Sequence, residues 1–210
     1  MKYLTYVSIF FLSVGLYACI HSYDDDDRNN SSGSANNLKK GQIEIKVYPN
    51  KDNKVVFYAT TSKITIDWGD GYIDRLTPNG VSQTFSHTYA NQNLQTIYIE
   101  SEKLTRFICS YYERTERIKE LYFGEVNEIE RIDVRGNGLT VLEIKKANAL
   151  KEVDCSYNRL ICNILNSLFE SLPNRPAKDG KYIIRYNSTS ECSVWFEIAI
   201  DKGWKEVANL

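Results

Sequence analysis

Histidine is almost missing from this chain: His21 and His87 are the two among 210 residues. With His21 far from the rest in a polar N-terminal stretch, a zinc site built from several imidazoles is excluded. An excess of one charge is missing too. Lys and Arg number 26 against 27 Asp and Glu, so no general field draws the chain onto nucleic acid or an anionic membrane surface. The apolar run from Leu4 to Ala18 is fifteen residues, too short for a helix crossing a bilayer core of about 30 Å, which needs roughly 20. What the chain has is 42% hydrophobic content, enough for one or two modest cores, and 15 tyrosines, which suit both sheet faces and interaction surfaces.

Lys2, the apolar run and Cys19 together make a signal-peptide layout over residues 1–18. Leu16-Tyr17-Ala18-Cys19 resembles the lipobox of bacterial lipoproteins. That resemblance implies cleavage before Cys19 and a diacylglycerol on its sulfur, the alternative being an ordinary signal peptide. Residues 19–40 carry Asp24 to Asp27 and then Asn, Ser and Gly, a composition that cannot pack a core and reads as a flexible acidic and polar tether. The acidic run so near the cysteine resembles the surface-export signal of Bacteroidetes lipoproteins, which implies an outer-membrane, lipid-anchored protein facing the exterior. A solvated charge run or a calcium tract is the alternative, and aspartates without a convergent loop bind calcium poorly.

From residue 41 to 101 the pattern becomes period two: Ile43, Ile45 and Val47, then Val55 to Tyr58, Ile64 and Ile66, and Ile97 and Ile99. Alternation between turn residues predicts antiparallel strands, with a hairpin at Asp70-Gly71. Ile66-Asp67-Trp68-Gly69-Asp70-Gly71 followed by Ser86-His87-Thr88-Tyr89 resembles the two signatures of PKD-like β-sandwich domains. An acid–base or metal constellation of Asp67, Asp70, Asp74 and His87 is the sharper reading. The plainer one puts Trp68 and Tyr89 in the core, the aspartates in turns and His87 against a strand end.

Residues 102–165 repeat. Leu150, Val153, Cys155, Asn158 and Leu160 match Ile129, Ile132, Val134, Asn137 and Leu139 at a spacing of 21, and a degenerate copy begins at Leu104 with Phe107 and Cys109. There Tyr112 replaces the asparagine and Glu113 to Arg117 forms an insertion. A second apolar ladder runs through Ile118, Leu121 and Phe123 and through Leu139, Leu142 and Ile144. The template is that of leucine-rich repeats, with Asn137 and Asn158 bonding to turn backbone and Cys109 and Cys155 packed inward as small hydrophobes. Val153 to Asn158 and Leu168 to Pro173 resemble the leucine-rich-repeat proteins of Bacteroidetes surfaces. Residues 166–210 form the C-terminal cap, the chain entering it on an amphipathic helix through Ile161, Ile164, Leu165, Leu168 and Phe169 that ends before Pro173. A strand over Tyr182–Tyr186, a helix over Glu191–Lys202 with Val194, Trp195, Ile198 and Ala199 on one face, a stop at Gly203 and a final strand from Trp204 follow. Cys162 and Cys192 are the candidate disulfide, since export permits oxidation and the other two cysteines lie in separate strands.

The fold expected is therefore mainly β with an α cap: a small PKD-like β-sandwich followed by a short leucine-rich-repeat solenoid closed by helices and strands. The function expected is non-enzymatic, with adhesion to a protein or glycan ligand, no metal or other cofactor, no nucleic-acid partner, and membrane contact only through the lipid. Outward positions on the repeat strands form the candidate face: Arg106, Arg131 and Glu152; Ile108, Asp133 and Asp154; Ser110, Arg135 and Ser156. Tyr111, Tyr112 and Tyr157 lie just beyond as aromatic platforms. The alternatives are a passive spacer within a surface complex, or a hydrolase using Asp67 and Asp70 or Asp133 and Asp154 as paired carboxylates.

Overall fold

A computed structural model describes residues 34–110, 117–190 and 192–210. Cys19, Asp24 to Asp27, Tyr111, Tyr112, most of the expected insertion and Glu191 lie outside the described residues. The protein is mainly β, with two mixed sheets. Strands β1 (Gln42–Val47), β2 (Lys54–Thr60), β3 (Lys63–Asp67), β4 (Ile73–Leu76), β5 (Ser82–Thr88) and β6 (Gln95–Glu102) pair with one another only antiparallel. Strands β7 (Arg106–Ile108), β9 (Arg131–Asp133), β11 (Glu152–Asp154), β12 (Gly180–Ile183) and β13 (Trp204–Glu206) pair in parallel, as do β8 (Ile118–Glu125) and β10 (Val141–Lys146).

The boundary expected at residues 101–102 does not divide these sheets. One sheet runs β10-β8-β1-β6-β3-β4 and the other β13-β12-β11-β9-β7-β2-β5, so β1 pairs with β8 and β2 with β7 across that boundary. The alternation that makes each strand also supplies one apolar face. Ile43, Ile45, Ile64, Ile66, Ile97, Ile99, Leu121 and Leu142 point inward from the six-stranded sheet, while Phe57, Phe107, Ile132 and Val153 do so from the seven-stranded one. Phe107 meets Phe123 edge to face at 5.4 Å between the layers, and one cluster of buried residues extends from Ile43 to Trp204. Each fully buried side chain of this size contributes about 1.5–3 kcal/mol.

The hairpin at Asp70-Gly71 joins β3 to β4, with Asp67 opposite Ile73. The expected second apolar ladder takes strand form as β8 and β10. Between parallel strands, asparagines complete the bends. Asn158 Nδ2 donates to the carbonyls of Val134, Cys155 and Ser156, and its Oδ1 accepts from the backbone N–H groups of Asn137 and Leu139. Asn137 Nδ2 reaches Cys109 and Val134, and Asn187 Nδ2 reaches Cys155 and Ile184. Asn187 is a rung that the 21-residue spacing did not reveal. It stands five residues after Tyr182, as Asn158 does after Val153, but helix α1 (Cys162–Ser171) lengthens the interval to 29.

Three expectations need correction. The strand expected over Tyr182–Tyr186 is β12, ending at Ile183, because Tyr186 takes a left-handed backbone at φ 58°. The helix expected over Glu191–Lys202 contracts to α2 (Phe196–Asp201). Asn166 binds the preceding segment outside the helix, its Oδ1 accepting from Trp195 N–H at 2.8 Å and its Nδ2 donating to the Ser193 carbonyl. Trp195, expected on the packed face, is 52% exposed, whereas Ala199 is fully buried. Gly203 ends α2 at φ +83°, where a Cβ would lie 2.1 Å from the Arg175 carbonyl oxygen. Finally, the end of the expected tether is packed: Ala35 and Leu38 are buried against the outer side of the six-stranded sheet, with Leu38 clustered with Tyr122.

Candidate ligand-binding face

The parallel strands stand in unbroken register, Arg106 beside Arg131, Arg131 beside Glu152, and Glu152 beside Lys181. Side chains of one column therefore meet across strands. Glu152 accepts from Arg131 Nη1 and from Lys181 Nζ, both at 3.3 Å. Two residues further along each strand lies the column Ile108, Asp133, Asp154 and Ile183, which Tyr58 of β2 continues with 46% of its surface exposed.

Asp133 and Asp154 were expected as outward contacts, yet each is 1% exposed, and Ser156 is buried as well. The flanking arginines fold over them. Arg135 approaches Asp133 at 3.0 Å and Asp154 at 3.6 Å, Arg131 adds a contact to Asp133 at 3.4 Å, and Ser156 donates to Asp154 through N–H and hydroxyl. Burial pushes the Asp133 carboxyl above the ordinary aspartate value; Arg135 opposes that and the neighbouring Asp154 reinforces it. These carboxylates hold arginines in place and have no open side toward a substrate. The accessible part of the expected face is thus Arg106, which is exposed, with Ile108, Ser110, Arg131, Arg135, Glu152 and Tyr157 half-buried.

Sequence reasoning missed Tyr58, Lys181, Arg185 and Tyr186 on the same side. The last two were within reach of the repeat pattern, since Tyr182-Ile183-Ile184-Arg185-Tyr186-Asn187 has the layout of Val153-Asp154-Cys155-Ser156-Tyr157-Asn158. Arg185 approaches Glu206 at 3.4 Å. Tyr157 and Tyr186 stack at 4.3 Å with their planes 18° apart. Both have left-handed backbone, φ 55° and 58°, at the rung position where β9 is followed by Gly136 at φ 74°. A side chain in that region costs about 1–2 kcal/mol relative to glycine.

The other constellation, around Trp68, is a structural knot. His87 Nε2 lies 2.7 Å from Asp70 Oδ2, and its ring stacks on Trp68 at 5.1 Å and meets Tyr89 edge-on at 4.7 Å. Trp68 Nε1 donates to Asp74, Tyr89 hydroxyl donates to the Trp68 carbonyl, and Asp67 accepts from Gly69 N–H. His87 thus meets a turn aspartate, not the strand end expected of it. Desolvation, the largest single influence, raises the Asp70 carboxyl, but the hydrogen bonds from His87 and Tyr72 N–H and the His87 charge together outweigh it and leave it below its ordinary value.

Cys162 and Cys192 form a disulfide, with Cα atoms 5.9 Å apart. Cys109 and Cys155 are free and buried, and burial pushes the Cys155 thiol far up. Among the described residues no group of three or more His, Cys, Asp or Glu is placed to hold a metal ion, and no helix is long and apolar enough to cross a membrane. A cavity of about 390 Å³ is lined by Lys40, Ser101, Leu104, Glu125 and Val126, and none of the residues of the two constellations lines it. No family model, curated protein or solved structure matches the chain.

Proposed function

We propose that the protein is a non-enzymatic cell-surface lipoprotein that binds a protein or glycan through the outward side of strands β7, β9, β11 and β12. In this reading residues 41–101 are a PKD-like sandwich, residues 102–165 a short leucine-rich-repeat stack, and residues 166–210 its cap. Cys19 carries the lipid, and the acidic run after it directs the protein to the exterior of the outer membrane. The observation that carries the binding role is the lateral chain Arg131–Glu152–Lys181 beside Asp133–Arg135–Asp154, which pairs long polar side chains along the outward side of the sheet. Side chains already held in one geometry lose little conformational entropy when a ligand arrives. The same pairing argues against a surface hydrolase, because a general acid needs an open approach to the scissile bond.

Two experiments test this reading. Radiolabelled palmitate enters the wild type and not Cys19→Ser, and protease added to intact cells removes the ectodomain; equal labelling of the two sinks the anchor. Glycan and protein arrays probed with the purified protein give a ligand whose signal falls in Arg131→Ala. Arrays without a ligand favour a passive spacer.

A further inference from the structure

We propose that Tyr186, backed by Tyr157, is the stacking platform for a sugar ring of a neutral glycan. This deepens the binding role above and rests on it.

Tyr186 is 68% exposed although one side of its ring stacks on Tyr157, so the opposite side is open. The pair sits directly after β11 and β12, at the same position of successive rungs and one residue before the ladder asparagines Asn158 and Asn187. Packing does not require an aromatic there: the rung after β9 has Gly136, whose backbone has the same left-handed form. A tyrosine repeated where glycine is the unstrained residue, and left uncovered, has its use at the surface. Asn187 makes the platform rigid, since its side chain binds the carbonyls of Cys155 and Ile184 beneath it.

The surroundings select the ligand class. The charged groups beside the tyrosines are already paired within the protein, Arg185 with Glu206 and Arg135 with Asp133 and Asp154. A strongly charged ligand has to compete with these internal pairs, whereas an uncharged, hydroxyl-rich one finds donors and acceptors already in place on Arg185 and Glu206. The open ring completes the match, because the C–H edges on one face of a pyranose are weakly positive and the aromatic face is negative. The site is an exposed ring at a rung end, which suits one unit of a polymer lying along the surface.

The test uses the purified full chain against hexaoses of cellulose, xylan, mannan and starch, with binding read by titration calorimetry. At least one hexaose binds, Tyr186→Ala weakens it tenfold or more, and Tyr186→Phe keeps affinity within threefold. Thermal melting separates the site from the fold: Tyr186→Gly melts no lower than wild type, because the left-handed strain is removed, and it binds as poorly as Tyr186→Ala. No binding to any of the four by wild type overturns the platform. So does a glycan or protein ligand whose affinity is unchanged in Tyr186→Ala; if that affinity falls in Arg131→Ala, the broader binding face survives, and if neither substitution matters, both proposals fall.

Discussion

Where β3 turns into β4, Asp70-Gly71 closes a hairpin between consecutive strands, and single side chains at the end of β5, His87 and Tyr89, bond to it. Where the parallel strands β7–β13 give way to the next turn, a side chain completes the bend by bonding to backbone on its own rung and on the neighbouring one. Asn158 alone takes part in five such bonds, and they link the rung after β11 to the one after β9. An antiparallel turn can therefore be weakened singly, whereas a parallel rung cannot be removed without stripping its neighbour.

The sharpest way to break that contrast is substitution of one member on each side. Asn158→Ala leaves buried backbone groups without partners and should cost about 5 kcal/mol, roughly 1 kcal/mol per lost bond. His87→Ala, at a ring packed among aromatics with 14% of its side chain exposed, should cost about 1 kcal/mol. Urea unfolding measures both, and equal costs would erase the distinction between local and shared bends.

Next in size is the staple that only the parallel half possesses. Reducing the disulfide between Cys162 and Cys192, which are 30 residues apart, should lower stability by about 3–4 kcal/mol through loop entropy. An unfolding midpoint unmoved by reductant would mean that the cap holds without it. Of similar size, Leu142→Ala in β10 should cost about 3 kcal/mol, the side chain being fully buried between the sheets.

Smaller effects come from the two carboxylates, which should respond to pH with opposite signs. The Asp133 carboxyl is raised, chiefly by burial, so its contribution is full below the ordinary value of 3.8 and is lost as pH rises through the raised folded value. The Asp70 carboxyl is lowered, so its contribution is present above 3.8 and is lost as pH falls through the lowered value. Unfolding free energies from about pH 3 to about pH 7 should show Asp133→Asn removing a loss on the alkaline side and Asp70→Asn removing one on the acid side. Two substitutions moving the profile in the same direction would contradict this assignment. The smallest effect is Glu143→Ala, about 0.5–1 kcal/mol: its position in β10 faces outward, but its carboxylate accepts from Ala35 N–H at 3.0 Å, so the loss should be measurable and not zero.

Much of the strand layout was legible because period two and the apolar-x-apolar-x-x-Asn spacing are local properties of the chain. Ile43, Ile64, Ile97, Phe107, Ile132 and Val153 are inward in the sequence pattern and inward in the fold. The candidate face was legible only by column. That Asp133 and Asp154 are covered depends on which way Arg131 and Arg135 bend, and long side chains with several rotatable bonds are not fixed by their position in a strand.

Alternation, turn dipeptides and the asparagine spacing determined by themselves that this protein is mainly β, where its hairpin closes and which cysteines stay buried, since each depends on a few neighbouring residues. Tertiary structure alone decided that the antiparallel and parallel strands share two sheets and one core. The pairings of β1 with β8 and β2 with β7 join residues far apart in the chain, and no local pattern encodes which strand edges will meet. The same holds for the stack of Tyr157 on Tyr186: the two lie 29 positions apart with a helix between them, and only the closure of the ladder over α1 returns the second ring to the first.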